Sequence, residues 1–187
     1  MSVIVAVTKK HQSVVATDGL TCFGHHADTS GNTEPKSMRR VGSALIGNTG
    51  WMLYDTILED YLSRGELPVL DDRMSIFKFF IGFWKVLRED YSFVEDQCND
   101  EDDPFVDLDS SFLVLNRNGI FGISSNMDVT HYKKYHAIGC GRDYAYGALY
   151  SLYDGEADPQ KIAEGAVRAA ISFDIHCAGE VQVFEID

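Results

Sequence analysis

Basic residues are scarce in this chain. There are 16 lysines and arginines against 29 acids, for a formal net charge of −13. An acidic surface repels phosphate and anionic lipid, so neither nucleic acid nor membrane is an expected partner. The one dense basic stretch, "KSMRR" at 36–40, is short and reads as a solvated face. Cysteine is sparse too. Cys22, Cys98, Cys140 and Cys177 form no Cys-x-x-Cys pair, and no His–Cys grouping has zinc spacing. No window approaches the ~18 apolar residues that a membrane helix needs. The start lacks a charged region followed by a longer apolar run, so no signal peptide is expected. Reduced thiols in the cytoplasm follow. No internal repeat, low-complexity tract or linker divides the chain, so one domain over 1–187 is expected. A hydrophobic fraction of 45% supplies a sizeable core.

What is present is strongly patterned. "VIVAV" at 3–7 is apolar throughout, which suits a strand buried on both faces. A turn at His11-Gln12 leads to a returning strand, "SVVAT" at 13–17, ended by Gly19, and 20–24 forms a third short strand. Residues 25–35 hold turn formers and read as a loop. "SALIGNTG" at 43–50 is another strand. Helical spacing begins at Trp51 and stops at Gly65. A second helix spans about Asp72 to Tyr91, with Asp71 or Asp72 as N-cap. Its broad aromatic face, Phe79 to Trp84, serves either core or subunit contact. The acidic run 95–109 lacks the Asp-x-Asp-x-Asp-Gly order of a calcium loop and reads as solvated. Residues 111–124 form a hairpin with Asn118-Gly119 in its turn. A short strand at 135–139, two helices, the second with Asp158 and Pro159 at its start, and an alternating strand at 179–186 complete the chain. Strand groups separated by helix pairs suggest two packed sheets with helices outside, an α+β arrangement.

Four stretches in this order, "VIVAV…VVATDG", "IGNTG", "AIGCGRDYAYGALYSL" and "FDIHCAGEVQVFEI", resemble the proteasome β-subunit family, including the HslV-type peptidase, over nearly the whole chain. The resemblance implies a four-layer αββα sandwich and an N-terminal nucleophile hydrolase without a cofactor. Ser2 stands where that family has its nucleophile, usually threonine. Once Met1 is removed, the α-amine of Ser2 is a base close to its own hydroxyl, with a pKa near ~8. Asp18 in "TDG" matches an aspartate that holds a lysine ammonium beside the nucleophile. The lysine is Lys36, with Ser37 the alternative register. Gly50 matches the oxyanion-hole glycine, although from local sequence it is equally a strand-to-helix glycine. Asp174 matches a supporting aspartate. Cys140 and Cys177 replace serines of the family pattern, and both read as buried, inert thiols. His25 and His26 read as surface loop, and His11 as a turn residue.

Three functions are consistent with these residues. The first is a peptidase acting through Ser2 on peptide or unfolded-protein substrates, within stacked homo-oligomeric rings served by an ATP-driven unfoldase. The second is a silent ring-forming subunit that keeps Met1. The third is an amidase acting on a small amide.

Overall fold

The structure is a computed structural model that describes residues 2–23, 26–28, 37–91 and 110–186, with the backbone alone at Cys22, Phe23, His26 and Ala27. The acidic run 95–109, Met1, His25 and Lys36 lie outside the described residues. Strand β1 (Val3–Lys9) turns through Lys10 and His11, both at positive φ, into β2 (Gln12–Thr17). Paired left-handed residues give a two-residue hairpin turn whose twist matches the strands. The turn therefore lies one residue earlier than expected, because Gln12 already pairs with Lys9. β3 (Thr21–Phe23) and β4 (His26–Asp28) form a small ribbon, so part of the expected loop at 25–35 is strand.

The basic stretch at 36–40 also departs from expectation. Residues 38–41 form β5 (Met38–Val41), with Met38 and Val41 buried, and pair with β6 (Ala44–Gly50). Successive residues face opposite sides, so Arg39 shares Val41's side toward the helices, while Arg40 lies on Met38's side and donates to the Glu185 carbonyl at 2.9 Å. The Arg39 guanidinium lies 3.3 Å from buried Asp55 and 3.1 Å from Glu59. Both partners belong to helix α1 (Leu53–Ser63), two residues shorter at its start than the spacing suggested. Helix α2 (Arg73–Asp90) begins at Asp72, whose carboxylate accepts the N–H groups of Met74 and Ser75 in a reciprocal capping box.

β7 (Ser110–Asn116) and β8 (Gly119–Ile123) make the expected hairpin, but its turn residues are Arg117 and Asn118, neither at positive φ. Gly119 takes the left-handed conformation instead, as the first residue of β8. β9 (Val129–Tyr132) pairs with β8 and was not legible in a stretch of only four residues. β10 (Tyr135–Gly139), α3 (Arg142–Leu152), α4 (Pro159–Phe173) and β11 (Gln182–Glu185) follow. Asp158 caps α4 with Pro159 in its first turn, as expected.

The strands form two main antiparallel sheets, ordered β10-β1-β2-β11 and β5-β6-β7-β8-β9. Period-two alternation assigns each side chain to one of three apolar layers. Val3, Val5 and Val7 pack with Ala145, Leu149, Ile162 and Ala166 of α3 and α4. Ile4, Ala6 and Val15 meet Leu45, Leu113 and Leu115 between the sheets. Ile46, Phe112 and Val114 face Ile57, Phe80 and Phe83 of α1 and α2. The result is the expected αββα sandwich. Phe79, Phe80 and Phe83 are buried in this last layer, so that aromatic face is core rather than subunit contact.

One half-buried histidine links β9 and β10 to α3. His136 of β10 stacks on Tyr132 with ring centroids 3.8 Å apart, and its Nδ1 shares a 2.7 Å hydrogen bond with the Tyr146 hydroxyl. Burial, with help from the charge of Arg142, pushes its pKa down to about 4. The native state thus holds His136 neutral, whereas an unfolded histidine titrates near 6.5. Its contribution to stability is complete above that value and is lost as pH falls toward 4, by at most about 1.4 kcal/mol per pH unit. Urea midpoints measured between pH 7 and 4.5 should fall more steeply for the native chain than for His136→Gln; equal slopes would contradict the assignment.

Candidate active site

The site is assembled at the ends of strands. Ser2 directly precedes β1, is itself buried, and has its carbonyl gripped by the Cys140 N–H at 2.9 Å. Across the hairpin, Asp18 directly follows β2. The antiparallel register pairs Ile4 with Thr17, which brings positions 2 and 18 together. The Ser2 hydroxyl donates to Asp18 Oδ1. The Val3 N–H donates to the same oxygen at 2.9 Å, and the Ala178 N–H donates to Oδ2 at 3.1 Å. The Thr17 hydroxyl closes the hairpin end by donating to the Val3 carbonyl at 2.9 Å.

Asp18 is a buried carboxyl. Burial raises its pKa, and the hydrogen bonds from Ser2, Val3 and Ala178 oppose that rise. A carboxylate in this position orients the serine hydroxyl and accepts its hydrogen. Both of its oxygens are engaged, by the Ser2 hydroxyl and by two backbone amides that the sequence did not reveal. Lys36, its expected partner, lies outside the described residues, while Ser37 accepts the Asn48 N–H through its carbonyl at 3.0 Å.

Glycine makes the close approach possible. Gly139 ends β10 at φ +97°, and a Cβ there would overlap the Ser2 carbonyl oxygen. The same Cβ would lie 3.1 Å from Thr49 Cγ2, so the end of β6 borders Ser2 as well. Gly50 follows Thr49 at φ +116°, a conformation open chiefly to glycine. Its position at the strand-to-helix corner suits either of the roles considered for it.

Asp174 is the C-cap of α4. Its Oδ1 accepts the His176 N–H at 2.7 Å and lies 3.3 Å from His176 Nδ1. This turn carries Cys177 and Ala178 toward Asp18. Asp174 therefore acts on its own turn, and His176 is a partner the sequence did not assign to it. Cys177 is buried, as expected; burial and then the nearby Asp18 and Asp174 carboxylates push its thiol up to about 12. Cys140 corrects the expectation of two buried thiols: it is exposed, because it sits on the corner between β10 and α3 rather than inside a strand. No group of three or more histidine, cysteine or acidic side chains fit to hold a metal occurs among the described residues.

Ser2, Asp18, Gly139, Cys140, Cys177 and Ala178 thus converge from four separate chain segments, with Thr49 and Gly50 at the border. Gly139, Ala178 and the backbone N–H of Val3 were not identified from sequence. Gly139 alone left a signal there, in the doublet "GCG".

No family model matches the chain, and no curated protein matches it by sequence. Solved structures do. Thiobacillus denitrificans BPH in complex with Epoxomicin superposes with a TM-score of 0.87 at 28% identity, covering 99% of this chain and 98% of that one. A second structure of Thiobacillus denitrificans BPH gives 0.87 and 28%, covering 99% and 97%. The eukaryotic HslV from Trypanosoma brucei gives 0.68 at 21% identity, covering 98% and 99%, a likeness of fold. End-to-end coverage and two antiparallel sheets between helix pairs agree on one conclusion: the chain has the fold of the HslV-type, proteasome-like peptidases and is similar to them over its whole length.

Proposed function

We propose that this chain is a peptide-hydrolysing subunit of a proteasome-like particle, with Ser2 as nucleophile after removal of Met1. One observation carries the reading: the buried Ser2 hydroxyl is directed onto the carboxylate of Asp18 at the head of a fully buried strand. The likeness to HslV-type peptidases supports the reaction class. Removal of Met1 would leave a neutral fraction of α-amine, with a pKa near ~8, on the same residue as the hydroxyl. The amine takes the hydroxyl proton as Oγ bonds to the scissile carbonyl carbon. The Gly50 N–H receives the oxyanion. The C–N bond then breaks, the departing amine takes the proton, and water hydrolyses the Ser2 ester. Asp18 holds the hydroxyl's rotamer, and Lys36 supplies positive charge beside it. Asp174 maintains the turn that delivers the Ala178 N–H to Asp18. No cofactor enters this scheme.

Substrate would be a peptide or unfolded protein. Thiobacillus denitrificans BPH has been solved with Epoxomicin, which makes that compound a direct probe of the corresponding site here. Assembly into stacked homo-oligomeric rings, with an ATP-driven unfoldase at the ring face, completes the proposal. An apolar surface at one end of the α3–α4 pair supports self-association: Tyr144 stacks on Phe173 at 5.7 Å, and Ile175 is 90% exposed. The thiol chemistry favours a cytoplasmic setting, and among the described residues no helix is long and apolar enough to cross a membrane.

The intact mass of the purified chain should be lower than that of the full sequence by one methionine. Hydrolysis of fluorogenic peptides should be blocked by epoxomicin and fall to background in Ser2→Ala. A full-length mass with no hydrolysis would instead indicate a silent ring subunit, and turnover of small amides alone would indicate an amidase. Asp18→Asn should lower kcat by about 10²-fold or more while the chain stays folded by circular dichroism; unchanged kcat would remove Asp18 from the mechanism. Native mass spectrometry should find multiples of the 20.9 kDa chain, and a monomer at micromolar concentration would exclude the ring.

A further inference from the structure

Two cysteines lie beside Ser2, one open to solvent and one buried. Cys140 sits on the corner after β10, and its N–H holds the Ser2 carbonyl at 2.9 Å. Cys177 sits in the turn after α4, and the next residue supplies the N–H that holds Asp18 at 3.1 Å. The two corners are in contact. The Gly141 N–H donates to the Cys177 sulfur, and the charge of Cys140 is felt at that sulfur. A Cβ at Gly141 would lie 2.7 Å from Cys177 Sγ and 2.6 Å from Ala170 Cβ. Glycine at 141 therefore lets the buried sulfur reach the peptide that directly follows Cys140. Neither thiol has a place in the peptidase steps above.

We propose that Cys140 and Cys177 form a redox pair that hydroperoxides convert reversibly into a disulfide, shutting the Ser2 site; the regulatory part of this rests on the peptidase reading. In the first step the Cys140 sulfur attacks a peroxide oxygen. The O–O bond breaks, the departing oxygen takes the thiol proton and leaves as water from hydrogen peroxide or as an alcohol from an organic hydroperoxide, and Cys140 carries S–OH. In the second step the Cys177 sulfur attacks the Cys140 sulfur. The S–O bond breaks, and hydroxide leaves as water with the Cys177 proton. With hydrogen peroxide, two thiols lose two electrons, one peroxide gains them, and two waters form. The order follows from the surroundings. Cys177 is buried and stays protonated at neutral pH, so it cannot attack first, and it closes the disulfide slowly.

The consequence for the site is geometric. A disulfide draws the corner at 140 toward the turn at 177. Gly139 already has no room beside the Ser2 carbonyl, so a shift of that corner displaces Ser2. A shift of the turn at 177 pulls the Ala178 N–H from Asp18. Closure thus disturbs both groups that orient the hydroxyl. Reduction by a dithiol restores them.

The test uses the full chain, reduced and then exposed to hydrogen peroxide. Trypsin should release a species joining 135–142, "YHAIGCGR", to 169–187, "AAISFDIHCAGEVQVFEID". It should disappear on reduction with dithiothreitol and be absent from Cys140→Ser and Cys177→Ser. Hydrolysis by the oxidised chain should fall at least tenfold below that of its own reduced form and return with dithiothreitol. Each serine variant, compared with its own untreated state, should lose less than half its rate with peroxide. Peroxide that yields only sulfinic or sulfonic acid at Cys140, or no change at either thiol, would overturn the pair. A formed cross-link with unchanged hydrolysis would overturn its control of the site. A reduced chain without hydrolysis would sink the peptidase reading, whereas the cross-link is judged on its own mass.

Discussion

A strand with no exposed face holds this structure in register. Residues 3–7 are fully buried, with valines at 3, 5 and 7 against one helix pair and Ile4 and Ala6 against the facing sheet. A slip of one residue would exchange these two sets and place branched side chains where the other layer has no space for them. Ser2 inherits that rigidity. It is attached to a strand that is buried on both faces, and the Cys140 N–H on its carbonyl helps aim its hydroxyl at Asp18.

Asp18 is the polar counterpart of that constraint. A carboxyl group buried at the end of a sheet is unfavourable unless its oxygens are satisfied, and here the acceptors are met by one hydroxyl and two backbone amides. Those donors come from the start of β1 and from the turn after α4, and Ala178 lies 160 residues from Asp18 along the chain. The same carboxyl group therefore ties the first hairpin to the last turn. One set of hydrogen bonds thus holds the candidate site and joins the corners that carry Cys140 and Cys177.

Legibility varied with the strength of the local signal. β1, β6 and the β7–β8 hairpin were visible because long apolar runs have few alternatives. β4 and β9 were not, since three or four polar-rich residues carry little pattern and become strands only by pairing with a neighbour. The basic stretch at 36–40 read as solvated because its cations dominate its composition, yet Arg39 is taken up by acids of α1. The turn after Asn116 was misplaced by a register of one, since Asn-Gly favours a mirror-image turn and the chain uses glycine one position later. In the site, Ser2, Asp18 and Gly50 were named from short motifs. The amides of Val3 and Ala178 could not be, because every residue other than proline carries one and sequence does not say where it points.

Alternation and apolar run length, which are properties of neighbouring residues, determined from the sequence alone that strands would be buried on both faces and flanked by helix pairs. The order of the motifs carried the resemblance to the proteasome-like peptidases. Only the tertiary structure decided which ends of those strands meet, that Cys140 faces solvent while Cys177 does not, and that Asp174 serves its own turn. Each of these depends on groups from distant segments arriving at one place, and a linear pattern records the residues without the distances between them.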